Sequence, residues 1–258
     1  MTKKAILLIS ILMLIMFSFC NKEVKTIPDY LRKGTAAYHQ NKGYMYLNQG
    51  SLNIAMEQFI KALKKKPGLI GATMGLGIVY LKQMKFQKSL KEFSKIAKHN
   101  PSNADAFNFI GIIYTELGDY DLAKENYLIA ANSENYSTPE NAYLNLAMLE
   151  MKRNKPNNAL RYIEKGLIKN TEFSPLYNLR GSIFEKKGFY KKAVYNYERS
   201  LQLSGVKDIN TKINIARGYI KMGKKNKALN LLEQMLGETP SPAIRKLIIN
   251  MIKQVEKQ

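Results

Sequence analysis

The sequence predicts an all-α protein, a superhelix of stacked helix pairs. Three observations carry that expectation. One pattern recurs in six copies at a spacing of 34 residues, small residues return at the same two places in each copy, and a glycine parts the two apolar stretches of most copies.

The opening MTKKAILLISILMLIMFSFC sets Lys3 and Lys4 ahead of an apolar run from Ala5 to Phe19, the n-region and h-region of a secretory signal. That run is shorter than the roughly 20 residues a spanning helix needs, which favours a cleaved signal at 1–20 over an uncleaved anchor. It ends at Cys20, the one cysteine of the chain. A single thiol permits no internal disulfide and no cysteine-ligated zinc site, so packing alone must hold the fold. Residues 21–35 are polar and read as a tether.

The copies are placed at 36–69, 70–103, 104–137, 140–173, 174–207 and 209–242, with Thr138-Pro139 and Asp208 as insertions. Each reads as two antiparallel helices. Gly43, Gly77, Gly111, Ala147, Gly181 and Ala216 on the first helices, and Ala55, Ser89, Ala123, Ala159, Ala193 and Ala228 on the second, are expected to face one another and let the helices approach. Large residues then fill the space between pairs: Tyr46, Tyr80, Tyr114, Phe184 and Tyr219 from first helices, Phe59, Phe93, Tyr127, Ile163, Tyr197 and Leu232 from second ones. Gly50, Gly118, Gly188 and Gly223 suit the turn between helices, where Met84 and Asn154 stand in the other two copies. Pro67, Pro101 and Pro240 end second helices. The segment 243–258, with Ile244, Leu247, Ile248, Met251, Ile252 and Val255 at helical spacing, reads as a helix that caps the last repeat.

Spacing and slots together resemble the tetratricopeptide repeat over residues 36–242, which implies a right-handed superhelix with first helices lining a concave groove. Glu150 in an aromatic slot, and Asn135 and Thr171 in proline slots, depart from the family pattern. The resemblance implies that positions 2, 5, 9, 12 and 13 of each copy face inward. The expected partner-binding groove is then Tyr44, Met74, Ile78, Leu81, Asn108, Ile112, Leu144, Met148, Met151 and Asn178, with Lys82, Lys152, Lys186 and Lys221 as a basic rim. No copy has Lys at position 5 or Asn at position 9, the residues with which related domains clamp acidic chaperone tails. An apolar or amphipathic protein segment is the expected guest, with methionines adapting to its shape and Asn108 and Asn178 holding its peptide bonds. These residues also suit packing between neighbouring first helices.

The edge position of Cys20 resembles the lipobox of bacterial lipoproteins, where the thiol is diacylated and the signal is cut just before it. The family usually has Leu three places before the cysteine and a small residue directly before it; here Phe17 and Phe19 stand there, with Ser18 one place off. An exported, membrane-tethered chain facing the periplasm or the cell surface is the expectation.

The formal net charge is +21, with 34 Lys against 7 Arg, and an acidic third copy interrupts the basic array. Base readout favours Arg, so nucleic acid is not expected; a solvated lysine surface is the expectation, with attraction to anionic lipid or acidic cell-wall polymer the open alternative. His39 and His99 lie far apart in the repeat scheme, and no phosphate loop, nucleophile elbow or metal spacing appears; no enzyme activity and no cofactor are expected. The layout is similar to the pilotin lipoproteins of type IV pilus systems, which implies a scaffold assisting assembly of an envelope complex. An adaptor for cell-wall enzymes, a surface lipoprotein binding external molecules, and self-association stay open at this point.

Overall fold

The computed structural model describes Pro28 and residues 32–204, 208–238 and 241–257. The expected signal, Cys20, most of the tether and Pro240 lie outside the described residues. Among the described residues there are thirteen α-helices and no strand. They are α1 (Ala36–Asn48), α2 (Leu52–Lys65), α3 (Ile70–Lys82), α4 (Phe86–His99), α5 (Ala104–Leu117), α6 (Tyr120–Asn132) and α7 (Pro139–Lys152). They continue as α8 (Pro156–Lys169), α9 (Ser174–Lys186), α10 (Tyr190–Ser204), α11 (Ile209–Lys221), α12 (Lys225–Gly237) and α13 (Pro242–Glu256). Odd-numbered helices are the first of each pair, as the periodicity predicts. The chain divides into two compact units after Leu76, within α3.

In the first unit the ring of Phe59, on α2, is fully buried. It is clamped between two glycines. A methyl group on Gly43 of α1 would lie 2.6 to 2.9 Å from three of its carbons, and one on Gly75 of α3 would overlap it from another side. Tyr44 meets it edge-on, 5.0 Å between ring centres. Thr35 caps α1 by accepting the Tyr38 N–H at 3.0 Å. His39 shares a hydrogen bond with Gln58 at 2.8 Å.

The second unit repeats this packing. Added methyl groups on Gly77, Gly111 and Gly181 would strike Phe93, Tyr127 and Tyr197 of the following helix. Small residues face one another as expected in the second copy, where Ser89 Oγ donates to the Gly77 carbonyl at 2.8 Å. The glycine slot also receives the buried ring of the second helix. A bare Cα opens a flat recess, and the most favourable occupant is the largest apolar group within reach.

The first-helix rings Tyr46, Tyr80, Tyr114, Phe184 and Tyr219 are half-buried, with Tyr114, Phe184 and Tyr219 packed against the core, whereas Phe59, Phe93, Tyr127, Ile163, Tyr197 and Leu232 are enclosed. In three pairs a lysine of the second helix's opening turn reaches over the first-helix ring. Lys88 stands 5.9 Å from the Tyr80 ring centre, Lys192 5.5 Å from Phe184 and Lys227 5.8 Å from Tyr219. Glu150 occupies that slot in the fourth pair at 1% exposure, and its carboxylate accepts from Asn158 Nδ2 at 3.2 Å with Lys124 Nζ at 3.9 Å.

Each hairpin turn places one residue in the left-handed region. Met84 and Asn154 adopt it at φ 57° where the other copies use glycine, so the turn geometry persists without its preferred residue. The inserted Asp208 is the N-cap of α11 and accepts from the N–H groups of Asn210 at 3.0 Å and Thr211 at 3.3 Å. Pro139 is the opening residue of α7. The expected final helix is present as α13, packed on α12 through Ile248 and Met251. Leu247, expected on its apolar face, is 43% exposed instead. It sits between the two turns that touch α12, on the flank turned to solvent.

Candidate functional site

Three first helices of the second unit, α5, α7 and α9, bring the most predicted residues together. On α7 the spacing of Leu144, Met148 and Met151 puts all three on one helix face. Two hollows meet at that face. One, of about 570 Å³, is lined by Ile112, Thr115 and Glu116 of α5, by Asn145, Met148, Met151 and Lys152 of α7, and by Lys186 of α9. The other, of about 420 Å³, takes in Leu144, Met148, Asn178 and Ser182, with Ser200, Ser204 and Asp208 at its far side. Met148 belongs to both and is 54% exposed, high for a large apolar side chain.

The floor of the larger hollow includes Tyr127, whose hydroxyl shares a 3.1 Å hydrogen bond with Thr115. Burial pushes this phenol up to about 12, against the lowering effect of the Thr115 bond and with a further upward push from Glu116. At the edge Lys152 stands 3.8 Å from Glu116, with both side chains about half exposed, so the pair is loose and screened. The site is thus a largely apolar depression with Glu116, Lys152 and Lys186 at its edge. Among the described residues there is no cluster of three or more metal-ligating side chains, and no helix is long and apolar enough to cross a membrane.

Two predicted groove residues have other work. Asn108 is 8% exposed, and its amide oxygen accepts from Asn145 Nδ2 at 2.9 Å. Asn178 donates to Thr211 Oγ1 at 2.6 Å, and that hydroxyl donates in turn to Asp208. These are clasps between successive first helices, α5 to α7 and α9 to α11. Asn108 is thus engaged as a buried amide, while Asn178 is half-buried and also lines the smaller hollow.

Tyr44 and Met74 lie in the first unit, both half-buried, and the Tyr44 hydroxyl donates to the Gly71 carbonyl at 2.7 Å. Ile78 and Leu81 are half-buried on α3. The four rim lysines Lys82, Lys152, Lys186 and Lys221 are all exposed, but only Lys152 and Lys186 edge the hollow. Asn145 was not legible as a lining residue, since it sits one place beyond Leu144, a position the repeat pattern turns inward. Ser182 stands at position 9 of the fifth copy, where that pattern does turn a residue inward.

Comparisons with known proteins agree with this architecture. The tetratricopeptide repeat family pattern matches residues 36–68 and 74–136, and that of the tetratricopeptide repeat protein 21 C-terminal ARM domain matches 129–253. A TPR repeat-containing protein of Methanocaldococcus jannaschii is 28% identical over 136 residues, which is 51% of this chain and 23% of that protein's length. Among solved structures, PilF of Pseudomonas aeruginosa is similar at a TM-score of 0.68 and 21% identity, covering 83% of this chain and 96% of that one. PilW, a widely conserved type IV pilus biogenesis factor, is similar at 0.70 and 17% identity, covering 83% and 98%. At such identities the likeness shows the fold.

Proposed function

This chain is a tetratricopeptide-repeat protein, and from that premise we propose that it is a non-catalytic scaffold that binds protein segments on the first-helix face of its second unit. The observation that carries the reading is Met148, a large apolar side chain left 54% exposed where two hollows meet. An aliphatic or aromatic side chain entering either hollow would cover it. Such coverage contributes on the order of 1–2 kcal/mol for this residue alone, and Met151 and Leu144 beside it extend the apolar surface.

The finer part of the proposal concerns place and task. The apolar run ending in Cys20 supports export and a lipid tether on that thiol, with residues 21–35 giving reach. The likeness of fold to PilF and PilW supports assistance to an assembling envelope complex, in which the guest is an apolar or amphipathic segment of a component.

In-cell photo-crosslinking from a probe at position 148, with products identified by mass, tests the reading. One dominant envelope protein, lost when the probe is combined with Leu144→Glu, is the expected result. Absence of any product, or products between copies of this chain alone, refutes it.

A further inference from the structure

The fifth copy departs from four of the others at its seventh residue. The second, third, fourth and sixth copies have Leu76, Ile110, Leu146 and Ile215 there, exposed by only 6%, 6%, 0% and 3%. The first has Lys42, and the fifth has Arg180. A cavity of about 570 Å³ opens beside it, between α8, α9 and α10. It shares no lining residue with the hollows around Met148, so its chemistry is independent of theirs.

The guanidinium is held in place. Its Nε donates to Asn196 Oδ1, and its plane lies over the Tyr177 ring, 5.0 Å from the ring centre. Asn196 is 3% exposed, and its own Nδ2 donates to the Lys192 carbonyl at 2.7 Å, which fixes the amide's orientation. Among the described residues the terminal nitrogens of Arg180 make no hydrogen bond or ion pair. A planar fork is therefore positioned by its Nε while its outer donors are left to the cavity.

The walls have two chemistries. Leu160, Phe184 and Tyr195 are apolar or aromatic, and Tyr195 is 63% exposed. Lys191 and Lys192 join Arg180 against the single carboxylate of Glu164. Lys192 is kept at the mouth by the Phe184 and Phe189 rings, 5.5 and 5.6 Å away.

We propose that this cavity binds a protein segment in which an Asp or Glu stands beside an aliphatic or aromatic residue. The carboxylate takes two parallel hydrogen bonds from the terminal nitrogens of Arg180, in the field of the two lysines. The apolar neighbour covers Leu160, Phe184 and Tyr195. Glu164 accepts from a backbone N–H of the segment. An anionic membrane surface fits less well, because it presents negative charge to Glu164 as well as to the cations.

The test is a bead library of random heptapeptides screened with the full chain. Enrichment of Asp or Glu next to Leu, Ile, Val, Phe or Tyr is expected. The most enriched peptide is then expected to bind about tenfold or more weakly to Arg180→Leu, which installs the aliphatic type that four other copies have there and keeps the helices intact. Arg180→Lys, which keeps the charge and loses the fork, is expected to lose most of the same affinity, while Gly237→Ala, whose added methyl meets nothing within 4 Å, binds unchanged. No acidic enrichment, equal affinity of Arg180→Leu, or Arg180-dependent binding to phosphatidylglycerol vesicles alone overturns the proposal.

Discussion

Replacing Gly43 by alanine in α1 sets two effects of opposite sign against each other. Alanine favours a helix interior over glycine by about 1 kcal/mol. The new methyl, however, would stand 2.6, 2.7 and 2.9 Å from Cε1, Cδ1 and Cζ of Phe59. Carbon atoms rest at about 3.5–4.0 Å, so the ring would have to retreat by roughly 1 Å. It cannot retreat freely, because the backbone of Gly75 lies against the same ring. Overpacking of this kind costs about 1–3 kcal/mol. The net expectation is a loss of up to about 2 kcal/mol, about 1 at the middle of the range, read as a lower urea midpoint by far-ultraviolet circular dichroism at unchanged slope. Gly237→Ala is the control, since a methyl there meets nothing within 4 Å. It is expected to be neutral or to stabilise by up to ~1 kcal/mol. In a double-mutant cycle Phe59→Leu, which slims the ring, is expected to offset part of the Gly43→Ala loss, with a coupling of about 1 kcal/mol. A Gly43→Ala chain as stable as the parent, or more so, refutes the clamp.

Four further outcomes are expected. Met148→Glu abolishes partner capture in pull-down while the helical content by circular dichroism stays unchanged; an unfolded variant would make Met148 a structural residue. Lys212, 9% exposed, donates to both carboxylate oxygens of Glu238 at 2.6 and 2.8 Å, so Lys212→Met strands a carboxylate and costs about 1–3 kcal/mol in urea, part of which Lys212→Met with Glu238→Leu restores. Burial holds the Tyr127 phenol at about 12 in the folded chain, above its ordinary 10; the unfolded chain therefore loses this proton first, stability falls as pH rises from about 10 to 12, and Tyr127→Phe shallows that slope in alkaline urea titrations. Cys20→Ala abolishes incorporation of a radioactive fatty acid, and equal labelling would exclude a lipid on this thiol.

The helix pairs were legible because a pair cannot bury its own apolar face, so every copy must present the same residue types at the same offsets. Even the turn at Met84 and Asn154 could be placed from the register of its neighbours. What the repeat could not disclose was who meets whom across it. Gly43 and Gly77 were recognisable as places of close approach, but their partners Phe59 and Phe93 lie on an antiparallel helix whose rotation no spacing reveals. Asn108 and Asn178 looked available for a guest because their partners, Asn145 and Thr211, stand more than thirty residues further on. Met148 was found because it is an apolar residue at an inward position. Arg180 was missed because one cation in a lysine-rich chain is no signal until its four buried aliphatic counterparts are set beside it.

In the second unit the substantial packing of each helix is with the one or two helices next to it. Such a chain is editable copy by copy. Arg180 stands in the fifth pair where Ile110, Leu146 and Ile215 keep their buried places in the third, fourth and sixth. A globular domain with one common interior would spread the same change through all its layers. Here innovation is confined to a single rung, and new binding chemistry can be tried without renegotiating the ladder.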